Sequence, residues 1–152
     1  MTNNLKIADT KNLNQLLLHL SADAKPLWGN MSAQYMVEHL TDAVNYSNGK
    51  YETALEVPLE QALQRKAVVL QHDFIIPKEI NGPDDGTKSL QHPDIKTSVN
   101  ALNQAVQNFH DYFAGRSIKT MHPGFGPLTY EEWLVFHGKH FSHHFRQFGL
   151  LP

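Results

Sequence analysis

Apolar residues return every three or four positions in five segments of this chain, a spacing that places them along one side of an α-helix. The segments are residues 11–20, 32–46, 59–70, 95–113 and 129–148. No stretch alternates apolar and polar residues as a half-buried strand would. We therefore predict an all-α fold, in which four main helices and one short extra helix (the third segment) form an antiparallel four-helix bundle.

The ends of these segments carry capping signals. Ser32 is the predicted N-cap of the second helix, and Thr129 with Glu132 forms a predicted capping box at the start of the last. Residues 75–94 are rich in turn-forming residues and predict a long exposed middle loop with a turn at residues 84–86. Residues 120–127 contain too much glycine and proline for a helix and predict an irregular connector.

Composition excludes several classes of protein. A length of 152 residues suits one domain, residues 1–152. The net charge of −2 and the scattered cationic residues predict no nucleic-acid and no membrane partner. No apolar run is long enough for a signal peptide or a membrane span, so we expect a cytoplasmic protein. Since the chain has no cysteine, any metal must be held by nitrogen or oxygen atoms.

Four of the ten histidines fall within residues 137–144. On a helix, His137, His140 and His144 share the face that should turn inward, and His143 lies at its edge. The opposite face is predicted to carry the outward residues, which are Glu131, Gly138, Lys139, Ser142 and Arg146.

Buried imidazoles need partners, which a metal ion, protein hydrogen bonds or a wet substrate cleft could each supply. Spacing alone allows either His137 with His140 or His140 with His144 to form a metal-binding pair. His39, on the inward face of the second helix, is the candidate third ligand.

Three segments resemble a known superfamily. Residues 28–40 (WGNMSAQYMVEHL) resemble the opening motif of the DinB-like (YfiT-like) superfamily, and residues 140–147 (HFSHHFRQ) resemble its closing H-x-x-H-H-x-x-Q motif. Residues 122–133 (HPGFGPLTYEEW) resemble a subgroup of unknown function with the signature HPxFGxLTxxEW. The resemblance implies a four-helix bundle that binds a divalent metal through three histidines, one from the second helix and two from the last.

Transferred to this chain, the implied ligands are His39, His140 and His144, for a zinc, nickel or iron ion. His137 is then a candidate catalytic residue that could line the cavity or shuttle protons, with simple packing as its alternative. His143 would point away from the metal. Gln147 and Arg146 could orient a ligand or bind an anionic group, and the alternative for Arg146 is a solvated charge.

Such a site predicts a metal-dependent hydrolase or thiol transferase acting on a small molecule, because three imidazoles leave a coordination position open. The alternative is a non-catalytic bundle module that binds a ligand or protein partner, with the metal structural or lost. A homodimer through exposed helix faces is compatible with both. The segment 122–126 is predicted to form either a rim of the cleft or a rigid connector.

Overall fold

The computed structural model describes residues 4–78 and 87–152, and within them it contains five helices and one small antiparallel hairpin. The predicted fold is therefore confirmed as mostly helical and compatible with a helical bundle. The elements in chain order are α1 (Thr10–Leu18), α2 (Ala33–Ser47), α3 (Leu59–Val69), α4 (Ile95–Phe113), β1 (Thr120–His122), β2 (Gly126–Leu128) and α5 (Tyr130–Gln147).

Four of the five described helices begin at a residue whose side chain caps them, and α3 is the exception. The Ser32 side chain accepts a hydrogen bond from the backbone N–H of Tyr35 at the start of α2. Thr129 and Glu132 form the predicted capping box of α5, in which each side chain accepts from the other residue's backbone N–H. Such caps satisfy amides that have no partner within the helix, and each stabilises it by about 1 kcal/mol.

The main helices do not simply alternate in direction. Contacts of Glu38 with Ser98 (2.8 Å) and of Asn48 with the Ala105 carbonyl (3.4 Å) show that α2 and α4 run parallel. α5 runs antiparallel to α2, because His137 approaches Ser47 whereas His140 approaches His39. The long connection through α3 permits the parallel pair, since short loops force neighbouring helices to be antiparallel.

The all-α prediction is only roughly supported, because residues 120–128, predicted as an irregular connector, contain the pair β1 and β2 with Thr120 opposite Leu128. Strands of three residues are too short to produce a detectable alternation of apolar and polar positions. The hairpin connects several elements: the Thr120 hydroxyl donates to the Ser47 carbonyl (3.1 Å) and accepts from the Trp133 indole (2.7 Å).

The outward face predicted for α5 is also wrong at three positions. Gly138, Lys139 and Ser142 are buried, because the segment before α1 and the segment after α3 cover that side of the helix. The Leu5 amide donates to the Ser142 hydroxyl (2.6 Å), and a Cβ atom on Gly138 would lie 2.7 Å from the Leu5 carbonyl oxygen. α5 is therefore enclosed on both sides, which a single helical wheel does not reveal.

The described residues cover only parts of the predicted middle loop. Residues 75–78 and 87–94 have no helix or strand, as predicted, and the turn predicted at residues 84–86 lies outside the described residues. In the part of the chain that the structure describes, no helix is both long enough and apolar enough to cross a bilayer.

Candidate metal centre

Three histidine side chains from two helices meet near the middle of the α2–α5 interface. His39 comes from α2, and His140 and His144 come from adjacent turns of α5. Each pair of rings has a centroid separation of 4.9 Å, and the ring planes are steeply inclined to one another, at 65° to 85°. One ring nitrogen from each side chain lies within 4.8 Å of the other two. We call these residues the three-histidine group.

The closest approach within the group joins two like atoms. Nε2 of His39 and Nε2 of His140 are 2.9 Å apart. Two neutral imidazoles can be this close when one donates a hydrogen bond to the other, or when both lone pairs are directed at a shared cation. Burial holds the pKa of His140 well below its usual range, and the neighbouring histidines lower it further. At neutral pH its nitrogen therefore keeps the lone pair that a metal requires.

Gln147 fixes the tautomer of His144. The Gln147 amide nitrogen donates to the Trp28 carbonyl (3.0 Å), so its amide oxygen faces Nδ1 of His144 at 2.7 Å. Since that oxygen can only accept, Nδ1 carries the proton and Nε2 carries the lone pair. A polar group that orients a ligating histidine in this way is common beside metal ions. The structure thus places Gln147, the predicted orienting residue, in contact with His144.

The loop before α2 holds Gln147 from the other side. The Leu27 amide donates to the Gln147 carbonyl (2.7 Å), in addition to the contact at Trp28. Gly29 has a φ of +74°, and a Cβ atom there would lie 3.2 Å from the Gln147 amide nitrogen. A glycine is therefore required for this close approach of loop and helix.

Glu38, next to His39, anchors this part of α2 to α4 and to the loop before it. Its carboxylate accepts from the Ser98 hydroxyl (2.8 Å), the Gln34 amide (3.0 Å) and the backbone N–H of Gln91 (2.5 Å). Burial by itself would raise the pKa of Glu38, but these hydrogen bonds lower it overall. The sequence analysis missed this network, because its members are up to 60 positions apart.

His140 is oriented by packing. Its Nδ1 atom is buried and has no hydrogen-bond partner among the described residues. The Phe136 ring stacks on it, with centroids 5.6 Å apart and planes inclined by 28°. Stacking holds the ring plane less specifically than a hydrogen bond would, so His140 has weaker polar support than His144.

His137 lies apart from the group, although it shares the same face of α5. Its side chain is 0% exposed, and it stacks on Trp133 and touches Phe109. The Ser47 hydroxyl donates to the Val44 carbonyl, so it must accept from Nε2–H of His137 (2.8 Å). Burial lowers the pKa of His137 to about 3. These contacts are those of a packed core residue, and the catalytic role predicted for it stays a prediction.

The remaining candidate residues on α5 lie at the edge of the group. The His143 ring is half-buried and packs edge-on against Trp28, with centroids 5.7 Å apart. Arg146 donates from Nε to the Pro152 carbonyl (3.0 Å) and from Nη1 to the Asn4 side chain (3.4 Å). Arg146 is thus held by protein contacts, in contrast to the solvated charge that the helical wheel favours.

The segment 122–126 forms the tight end of the hairpin. Nδ1 of His122 accepts from the backbone N–H groups of Gly124 (2.9 Å) and Phe125 (3.2 Å), and its ring stacks on Phe125. Burial lowers the pKa of His122 to about 4, which keeps Nδ1 available as an acceptor. These contacts fit the rigid connector that was one of the two predicted roles.

The donor set of the three-histidine group suits a late first-row divalent ion. Imidazole nitrogen is a ligand for zinc, nickel, copper and iron, so the set does not distinguish among them. Among the described residues, His39, His140 and His144 are the one group of three or more histidine, cysteine or acidic side chains close enough to share an ion. Structural zinc sites have four protein ligands, whereas catalytic sites have three and an open position.

A family model described as "Protein of unknown function (DUF1569)" matches residues 1–149. The chain belongs to the DUF1569 family. The match includes all three histidines of the group and both helices that carry them. No curated protein and no solved structure matches the chain. The DUF1569 description names no activity, so the chemistry must be argued from the site.

Proposed function

We propose that this DUF1569 protein binds a divalent metal ion through His39, His140 and His144 and acts on a small molecule at the open coordination position. The observation that carries the proposal is the convergence of three imidazole rings whose nitrogens lie within 4.8 Å of one another. An ion held by three neutral imidazoles lowers the pKa of bound water or polarises a bound oxygen or sulfur atom. Hydrolysis and thiol transfer both use that chemistry.

The residues around the group have separate roles in this proposal. Gln147 keeps the lone pair of His144 on Nε2, and Phe136 holds the plane of the His140 ring. Glu38 anchors the turn of α2 that carries His39. We further propose that the family is a branch of the DinB-like superfamily with its four-helix-bundle architecture, on the strength of the three motifs that occur here in the expected order.

Measuring the metal content of the protein tests whether it binds an ion through the three histidines. We expect purified protein loaded with zinc and dialysed to retain about one ion per chain, as measured by atomic emission. The double variant His140→Ala/His144→Ala should retain none. His143→Gln is the matched control, because it changes a histidine of the same helix outside the group, and it should retain the ion. Equal metal content in the wild type and the double variant would contradict the proposal.

Replacing zinc with cobalt tests whether the bound ion has an open coordination position. We expect the visible absorption of the cobalt-loaded protein to change when a small thiol or azide is added, because the added molecule enters the coordination sphere. A spectrum that no added ligand changes would favour the alternative, a non-catalytic module with a structural metal. Self-association stays a prediction that light scattering coupled to gel filtration measures.

A further inference from the structure

A small cavity lies beside α5. It has a volume of about 100 Å³ and opens between α5, the loop carrying Trp28 and the segment 74–78. We call it the α5 side pocket. Four of its lining residues carry or can carry positive charge, and none of its described lining residues is acidic. The basic residues are Lys78, Lys139, His143 and Arg146.

Lys139 brings a buried positive charge to this pocket. Its side chain is only 5% exposed, and its Nζ atom donates to the carbonyls of Gln71 (2.5 Å) and Phe74 (2.7 Å). Burial lowers the pKa of Lys139, and Asp73 partly opposes that effect. No carboxylate of the described residues lies within salt-bridge distance of Nζ, so dipoles of neutral carbonyls are its closest compensation. A buried charge is costly unless it is paired.

Two other basic groups come from the segment after α3 (Lys78) and from the last turn of α5 (Arg146). Nζ of Lys78 lies 4.6 Å from the centre of the Trp28 ring, a cation–π distance. Arg146 is held beside the pocket by the Asn4 side chain and the Pro152 carbonyl. A concave surface with several cations and an amide side chain is suited to binding an oxyanion.

The pocket is also connected to the three-histidine group. Trp28 forms part of its wall with the indole ring and holds Gln147 with the backbone carbonyl. His143 lines the pocket, and its ring centroid is 4.9 Å from that of His144. A molecule with one group in the pocket would therefore lie within a few ångströms of the residues that present the proposed metal ligands.

We propose that the α5 side pocket binds the carboxylate or phosphate group of a small molecule. Anion binding here would make the substrate of the neighbouring three-histidine group an anionic molecule, and this part of the inference rests on the proposed function. The affinity of the pocket for an anion does not depend on a metal. The two claims can therefore be tested separately.

The test is a titration of the metal-free protein with inorganic phosphate and, in a second arm, with acetate, at constant ionic strength. The reporter is the indole N–H resonance of Trp28 in ¹H–¹⁵N NMR spectra. We expect a saturable shift with at least one of the two anions, and the stronger binder identifies the preferred acid group. The double variant Lys78→Gln/Arg146→Gln should bind at least tenfold more weakly. Lys119→Gln, at an exposed lysine away from the pocket, should bind as the wild type does.

Three results would overturn the proposal. A Trp28 resonance that neither anion shifts saturably would show that the pocket does not bind oxyanions. Equal affinity in the wild type and the Lys78→Gln/Arg146→Gln variant would place the anion elsewhere. His144→Ala should still bind the anion, and loss of binding there would assign the anion to the three-histidine group. Anion binding without metal binding would refute only the proposed function, whereas metal binding without anion binding would refute only this pocket.

Discussion

Two sets of buried or partly buried histidines lie close together in this protein and differ in the groups that their ring nitrogens contact. His110, His122 and His137, which we call the aromatic-cluster histidines, each bond through at least one ring nitrogen to a hydroxyl, a carbonyl or a backbone amide. Nδ1 of His137 has no hydrogen-bond partner among the described residues. In the three-histidine group, ring nitrogens of His39 and His140 face each other. Depth of burial does not separate the sets, because His137 is the most buried of all. The partner of the nitrogen is therefore the better guide to function.

Removing one ring from each set tests the difference between them most directly. His137→Ala should lower the free energy of unfolding by about 3 to 5 kcal/mol, because it opens a cavity among Trp133 and Phe109. Its metal affinity should stay close to that of the wild type. Chemical denaturation and a competition assay with a metal-binding dye measure the two quantities.

His39→Ala is the counterpart and should give the reverse pattern. The His39 side chain is only partly buried, so we expect a smaller loss of stability in the metal-free protein. Zinc affinity should fall by at least a hundredfold, since one of three ligands is removed. If both variants lost stability and affinity in the same proportion, the distinction between the two sets would be wrong.

Acid should destabilise the protein through the aromatic-cluster histidines. The folded pKa is about 4 for His122 and about 3 for His137, below their unfolded value near 6.5. The unfolded chain therefore binds more protons between these values, and stability present above pH 6.5 is lost as the pH falls. Together they should cost about 2 to 3 kcal/mol between pH 7.5 and 5.5 in metal-free protein.

Denaturation at several pH values measures this slope. His122→Asn keeps a side-chain acceptor for the amides of Gly124 and Phe125 but does not titrate in this range. Its loss of stability over the same interval should be smaller by about 1.4 kcal/mol. An unchanged loss would mean that His122 is already protonated in the folded protein.

Gln147 allows a further test of the three-histidine group, because it is the hydrogen-bonding partner of a proposed ligand. Gln147→Leu removes the acceptor that keeps the proton of His144 on Nδ1. We expect zinc affinity to fall by about 10- to 100-fold, the usual cost of removing such a partner. Gln104→Leu, at an exposed position of α4, is the control and should leave the affinity unchanged. Equal affinities in the two variants would show that Gln147 serves packing alone.

The smallest effect is expected at His110, which bonds to the Tyr130 hydroxyl (2.9 Å) and the Ile7 carbonyl (3.3 Å). Tyr130→Phe removes one of these bonds and should cost about 1 kcal/mol of folding free energy. His110→Ala should cost about 1 to 2 kcal/mol. Neither variant should change metal affinity, and calorimetric titration with zinc would detect a change if the sets were coupled.

Local signals predicted much of this structure. Each helix begins within one residue of its predicted start, because capping residues and the spacing of apolar residues are local properties. The resemblance of residues 28–40 and 140–147 to known motifs selected His39, His140 and His144, and the structure brings these three residues together. Spacing alone did not exclude His137 as a ligand, since it lies one turn before His140 on the same face.

Contacts between distant parts of the chain could not be predicted in this way. Lys139 and Ser142 were assigned to solvent, yet they bond to Phe74 and Leu5, which lie 65 and 137 positions away. The pairing of β1 with β2 was missed because each strand has three residues. The α5 side pocket combines residues from four separate segments, and no sequence motif marks it.

The contact between Leu5 and Ser142 has a consequence for when the proposed metal site can form. These residues are 137 positions apart, and α5 carries two of the three proposed ligands. During synthesis, the proposed ligand from α2 leaves the ribosome about 100 residues before the last of the three, and domains of this kind fold as units. The three histidines therefore meet only after α5 has been synthesised. Under the proposed function, all three can hold an ion only after that point.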